Sequence, residues 1–196
     1  MKKQIAITGG IGSGKSTASK IIKDMGHPVF SCDEIYHKIC GESEYINILA
    51  STFEGVVQNG AIDKNALRTL IFADEKARKT LDLISHPRIM SRLLESMAEC
   101  KASLVFAEVP LLFEGNYQDL FDAVIVIRRN KEQRIKDICQ RDGVEESFAL
   151  AKIESQFDYD DEKNVSILQA NNIYQIKNNH TIEDLRNSIE RILKNI

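Results

Sequence analysis

Nine residues, Gly9-Gly10-Ile11-Gly12-Ser13-Gly14-Lys15-Ser16-Thr17, follow directly on the apolar run Ile5-Ala6-Ile7-Thr8 and lead into a helical pattern from Ser16 to Met25. The spacing G-x-x-x-x-G-K-[ST] between a strand and a helix is that of a phosphate-binding loop, and it ties the chain to a nucleotide. Glycines at 10, 12 and 14 let backbone amides turn inward around a phosphate with no side chain in the way. Gly10, Gly12, Ser13, Gly14, Lys15, Ser16 and Thr17 are therefore the expected nucleotide contacts. Lys15 is expected to reach the β- and γ-phosphates of ATP, and Ser16 to ligate Mg²⁺.

A chain of 196 residues with 43% hydrophobic content suffices for one compact domain carrying inserted subdomains. Its net charge of −3 argues against nucleic acid or an anionic membrane as partner, so phosphate recognition has to be local. No apolar run approaches the length of a membrane span, and the start of the chain reads as a strand rather than a secretory leader. Four cysteines without metal-ligand spacing fit reduced thiols, which points to the cytoplasm.

Short β-branched runs alternate with helical patterns, as in a mostly parallel α/β sheet. Strands are expected at Gln4–Thr8, Pro28–Ser31, Ser103–Val109, Ala123–Arg128 and Ile173–Lys177. The resulting fold class is a three-layer P-loop kinase fold with a five-stranded sheet in a single domain, its core at about 1–32, 102–129 and 170–196. Residues 33–101 are far longer than one crossover needs and are expected to form a helical acceptor subdomain, and 130–169 a helical lid. Asp63 and Asp74 read as helix N-caps, and Pro87 as the first position of a helix from Arg88 to Cys100. Asn130 with Gln133 reads as a capping box, Gly143 as a helix stop, and Ile182, Leu185, Ile189 and Ile192 as the apolar face of a last helix.

A GTPase would carry N-K-x-D, but Asn130-Lys131-Glu132-Gln133 lacks the aspartate, and no D-x-x-G occurs. A small-molecule kinase fits better. Asp33, just past the second strand, stands where a carboxylate could orient and deprotonate an attacking hydroxyl, and it also fits the N-cap of a helix from Glu34 to Cys40. Glu108 ends the third strand, either as a second Mg²⁺-associated acid or as a plain strand-end carboxylate.

The phosphate loop, Asp33, His86-Pro87, Val109-Pro110-Leu111-Leu112-Phe113-Glu114, Gln140-Arg141-Asp142 and Ser155-Gln156 together resemble the dephospho-CoA kinase family over essentially the whole chain. The resemblance implies transfer of the γ-phosphoryl of ATP to the ribose 3′-hydroxyl of 3′-dephospho-CoA, the last step of CoA biosynthesis. It implies Asp33 as base, Lys15 and Arg141 as catalytic cations, and His86, Pro110, Leu111, Leu112 and Gln156 on the acceptor side. A monomer or weak homo-oligomer is expected. The alternatives are another P-loop kinase, acting on a nucleoside monophosphate or small alcohol, and a non-catalytic ATP-binding module. The chain departs from the family pattern at Ser31, Lys152, Asn171 and Lys177.

Overall fold

The computed structural model describes residues 2–196. In chain order the elements are strand β1 (Lys3–Thr8), helix α1 (Lys15–Asp24), strand β2 (Val29–Ser31), helices α2 (Cys32–Ile39) and α3 (Ser43–Thr52), strands β3 (Val57–Gln58) and β4 (Ala61–Ile62), and helices α4 (Lys64–Ala73) and α5 (Glu75–Glu99). Strands β5 (Leu104–Glu108) and β6 (Ala123–Arg128), helices α6 (Lys131–Asp142), α7 (Glu146–Glu154) and α8 (Val165–Leu168), strand β7 (Ile173–Lys177) and helix α9 (Ile182–Leu193) follow. Two compact units result: one runs up to Phe30 and resumes at Glu99, the other is Ser31–Ala98.

The first unit is built on a five-stranded sheet in the order β2-β5-β1-β6-β7. The pairs β1–β5, β1–β6 and β6–β7 are parallel. Ile5, Ile7, Phe106, Ile125 and Ile127 pack with Ala18, Ile21 and Ile22 of α1 and with Leu185 and Ile189 of α9. The alternate residues Ala6, Val105, Ala107, Val124 and Val126 are equally buried, as a parallel sheet covered on both faces requires. Thr181 and Asp184 cap α9 reciprocally. Ile182, expected on the apolar face, is instead 68% exposed, because the stripe that meets the sheet begins one turn later at Leu185.

In the second unit Asp63 accepts from the amides of Asn65 and Ala66, and Asp74 from those of Lys76 and Ala77, so both expected caps form. Two expectations fail. Pro87 does not open a helix but lies inside the 25-residue α5. The buried positions Ala77, Leu81 and Ser85 before it and Met90, Leu93 and Met97 after it continue one face, and Leu83, whose carbonyl Pro87 cannot reach, is on the solvent side. Asp33 is not an N-cap either. Ser31 holds that position, its hydroxyl accepting from the Glu34 amide, and Asp33 falls in the first turn of α2.

Candidate active site

Parallel register places the site at the carboxyl ends of the central strands. Residue Ile7 of β1 lies opposite Glu108 of β5, and Thr8 opposite Val126 of β6; the chain leaves β1 towards β2 on one side of the sheet and leaves β5 and β6 towards the other, so the loop after β1 stands at the switch point. Gly14 caps α1 at φ 93°, and no acidic side chain stands in the first turn. The N-terminal amides of α1 thus present uncompensated positive charge, which favours a phosphate. A Cβ on Gly14 would sit 2.3 Å from the Asn178 amide nitrogen, which donates to the Ser13 carbonyl at 2.9 Å. Glycine is required there both by the left-handed backbone and by that close approach.

Lys15 Nζ donates to the carbonyls of Gly9 (2.6 Å) and Gly10 (3.1 Å), folding the ammonium back over the loop. Ser16 Oγ donates to Glu108 Oε1 at 2.9 Å. The hydroxyl that opens α1 and the carboxylate that ends β5 therefore form one pair of hard oxygen donors beside the loop, suited to a cation that keeps waters and phosphates in its remaining positions. Of the other expected nucleotide contacts, Gly10 and Gly12 line the loop, Ser13 is 1% exposed, and Thr17 lies on the exposed side of α1.

The helices after β6 are seated on this loop. Gln156 Oε1 accepts from the Ile11 amide at 2.6 Å, and Arg134 Nε donates to the Ile11 carbonyl at 2.8 Å. Ile11 itself packs against Ile138, Ala149 and Ile153. Gln156, assigned to the acceptor from sequence, is in this structure bonded to the loop backbone. Glu114 Oε1 accepts from the Phe157 amide at 2.8 Å, and Phe113 stacks on Phe157 at 4.7 Å. Leu112 is fully buried and offers no surface to a substrate, whereas Leu111 is 37% exposed. Pro110 precedes them, half-buried.

Several cations of the segment after β6 are paired with acids of the same segment. Arg129 meets Asp137 at 3.0 Å and Lys131 meets Glu154 at 3.3 Å. Arg141 holds Asp142 with two parallel bonds of 2.7 and 2.9 Å. Hydrogen bonding from Arg141 holds the Asp142 carboxyl down at about 2, with the charges of Arg141 and of Lys152, whose ammonium lies 3.6 Å away, adding to it. Arg134 behaves differently, as burial pulls its guanidinium pKa down. The expected Asn130–Gln133 capping box is absent; Asn130 instead exchanges two hydrogen bonds with Asn179, of 3.0 and 2.8 Å, which ties α6 to the segment after β7. Gly143 does end α6, at φ 65°.

The second unit holds Asp33 beside a cavity of about 630 Å³, also lined by Tyr36, Cys40, Lys64, Leu67 and Arg68. Burial pushes the Tyr36 phenol and the Cys40 thiol up. His86 Nε2 lies 3.5 Å from Asp82 on α5, a partner one turn away on the same helix.

A parallel sheet with this loop at its switch point, a hydroxyl–carboxylate pair beside it and the helices after β6 seated on it defines a P-loop phosphotransferase of the small-molecule kinase class. The particular family follows from comparison with known proteins: the profile described as dephospho-CoA kinase matches residues 3–184, and the chain belongs to that family. The dephospho-CoA kinase of Geobacter sulfurreducens is 35% identical over 194 residues, spanning 96% of this chain and 95% of that protein. The solved dephospho-CoA kinase from Campylobacter jejuni is 30% identical with a TM-score of 0.67, covering 99% of this chain and 96% of the other. A crystal structure from Thermus thermophilus aligns at a TM-score of 0.80 and 28% identity, covering 100% and 98%. The family and fold make this chain an ATP-dependent kinase of dephospho-CoA.

Sequence reading missed the contact of Arg134 with the backbone of the phosphate loop. Its signal was present only as a basic residue one turn into α6, a position shared with many solvated arginines.

Proposed function

We propose that the γ-phosphoryl of loop-bound ATP passes to the ribose 3′-hydroxyl of 3′-dephospho-CoA, with Asp33 taking the hydroxyl proton and Lys15 stabilising charge on the transferred group. The observation that carries the reading is the Ser16–Glu108 pair at 2.9 Å at the end of the phosphate loop, a donor set that fits Mg²⁺. Bound there, Mg²⁺ supplies neutralisation of the β- and γ-phosphate oxygens.

On the acceptor side, the cavity of the second unit combines an aromatic and aliphatic wall with Lys64 and Arg68, a match in kind for an adenosine and pantetheine arm joined by a diphosphate. Asp33 lines that cavity and is free of a capping duty, which leaves its carboxylate available as base. Arg141 is assigned to the donor phosphates once its fork leaves Asp142, and His86, Pro110 and Leu111 to the acceptor. The enzyme works as a monomer or weak homo-oligomer in the cytoplasm; all four cysteines are free thiols, and among the described residues no helix is long and apolar enough to cross a membrane.

A coupled assay of ADP release tests the proposal. Turnover is expected with dephospho-CoA, at a low background with AMP, shikimate or no acceptor, and is abolished by EDTA and restored by Mg²⁺. Preference for AMP or shikimate would overturn the acceptor, and turnover in EDTA would overturn the cation.

A further inference from the structure

Two cations converge on the same short stretch of the phosphate loop. Lys15 reaches it from α1, its ammonium on the carbonyls of Gly9 and Gly10. Arg134 reaches it from α6. Its Nε is bonded to the Ile11 carbonyl, and its Nη2 lies 2.3 Å from where a Cβ on Gly10 would stand. The backbone of Arg134 also crosses the loop at Gly12, where a Cβ would meet the Arg134 carbonyl oxygen at 3.0 Å and its Cα at 3.2 Å. Gln156 holds the amide of the same Ile11 whose carbonyl Arg134 holds. The guanidinium is therefore fixed in place by the loop it faces.

Only Nε is engaged. Among the described residues neither Nη of Arg134 has a hydrogen-bond or ion-pair partner, although the residue is half-buried. Half-buried charged donors without acceptors are costly, and a planar fork of N–H groups is matched by the non-bridging oxygens of a phosphoryl group. The cost is offset when an anion occupies the loop.

We propose that Arg134 is a catalytic arginine supplied in cis, whose Nη groups meet the transferring phosphoryl of the loop-bound nucleotide together with Lys15. In the step, the bond from the γ-phosphorus to the β,γ-bridging oxygen breaks, the bond from the acceptor oxygen to the γ-phosphorus forms, and the acceptor proton leaves to the base. Arg134 makes and breaks no covalent bond; it takes up negative charge that grows on the phosphoryl and bridging oxygens. Because Nε is anchored to Ile11, the donors are already oriented before the reaction begins. A lysine at 134 cannot both hold the Ile11 carbonyl and present a fork. The inference rests on reading the chain as a dephospho-CoA kinase, and it adds a phosphate-facing guanidinium about two turns before Arg141, whose own fork is held by Asp142 in this structure.

The test compares wild type, Arg134→Ala and Arg134→Lys in four measurements: kcat with dephospho-CoA, ADP affinity, tightening of ADP by aluminium fluoride, and rescue of Arg134→Ala by added guanidinium. Expected is a kcat loss of about 10³ in both variants, of the order removal of such an arginine produces. ADP affinity should change less than about threefold, the aluminium fluoride tightening should be lost, and guanidinium should restore part of the alanine variant's rate. A kcat within about tenfold of wild type, or ADP affinity falling in step with kcat with no rescue, would reduce Arg134 to a scaffold residue. Should the alanine variant not fold, the lysine variant, which keeps the packed stem, decides by its kcat and ADP affinity. If wild type itself ignores dephospho-CoA, the acceptor reading fails while the aluminium fluoride arm still decides Arg134.

Discussion

Asp33→Asn is the perturbation that best separates chemistry from scaffold. The amide keeps the size of the side chain and cannot take a proton from an attacking hydroxyl. Loss of a general base typically lowers the rate about 10²–10⁴-fold, which is about 3 to 5 kcal/mol of transition-state stabilisation. The structural contribution of the same carboxylate is much smaller. Ser31, not Asp33, caps α2, so what is lost is the favourable placement of a negative charge in the first helical turn, worth about 0.3–1 kcal/mol. For a chain of this size that moves the melting temperature by about 1–4 °C. The expected result is thus a kcat lower by two to four orders of magnitude with dephospho-CoA, an unchanged ATP affinity and a nearly unchanged melting curve. Steady-state kinetics, nucleotide titration and calorimetry on one preparation provide all three. A kcat within about threefold of wild type would refute the base assignment, and a large fall in melting temperature accompanying the rate loss would refute the separation of roles.

Glu108→Gln keeps an oxygen that can accept from Ser16 but removes the charge, so the Mg²⁺ concentration for half-maximal rate should rise about tenfold or more; a superimposable Mg²⁺ curve would count against the site. Tyr45→Phe leaves the buried Ser85 hydroxyl without its 2.7 Å partner and should cost about 1–3 kcal/mol by chemical denaturation, with Tyr45→Phe/Ser85→Ala recovering part of it; a double variant no more stable than the single one would contradict this. For Asp142 the carboxyl is depressed in the fold, so its pairing with Arg141 contributes above the ordinary value of 3.8 and is lost as pH falls towards about 2. Carboxyl NMR should place the wild-type midpoint near the lower figure and move it towards 3.8 in Arg141→Ala, whereas an unmoved midpoint would show that another group sets it.

How far each feature could be read in advance follows from how local its cause is. The phosphate loop, the strand positions, the caps at Asp63 and Asp74 and the stop at Gly143 are set by residues within a few positions of one another, and they were legible in the sequence. The hairpin β3–β4 was not read in the segment expected to be helical: Asn59-Gly60 at its turn, both with positive φ, was its one local signal, and its strands are only two residues long and carry little pattern. Helix α5 overrides its proline because packing on both sides of Pro87 outweighs one missing hydrogen bond. Least legible were bonds between distant polar side chains and backbone. Asn130 had a plausible partner three residues away and took one 49 residues away, and nothing in the local pattern ties Arg134 or Gln156 to Ile11. At the site, residue types and loop chemistry were readable, and the orientation of the side chains on the helices after β6 was not.

The chain has no tryptophan and five tyrosines, and three of them, Tyr36, Tyr45 and Tyr159, are buried or half-buried near the cavity or the phosphate loop. Tyr159 is buried with its ring against Phe157 and Phe113 and its phenol next to Thr8 and Arg134, at the root of the phosphate loop. Tyr36 and Tyr45 pack edge to face in the other unit, Tyr36 on the wall of the cavity that holds Asp33. Burial raises the pKa of all three phenols and so opposes their conversion to phenolate. The protein therefore carries an intrinsic chromophore in each unit, and donor and acceptor binding are open to ultraviolet difference spectroscopy without any label.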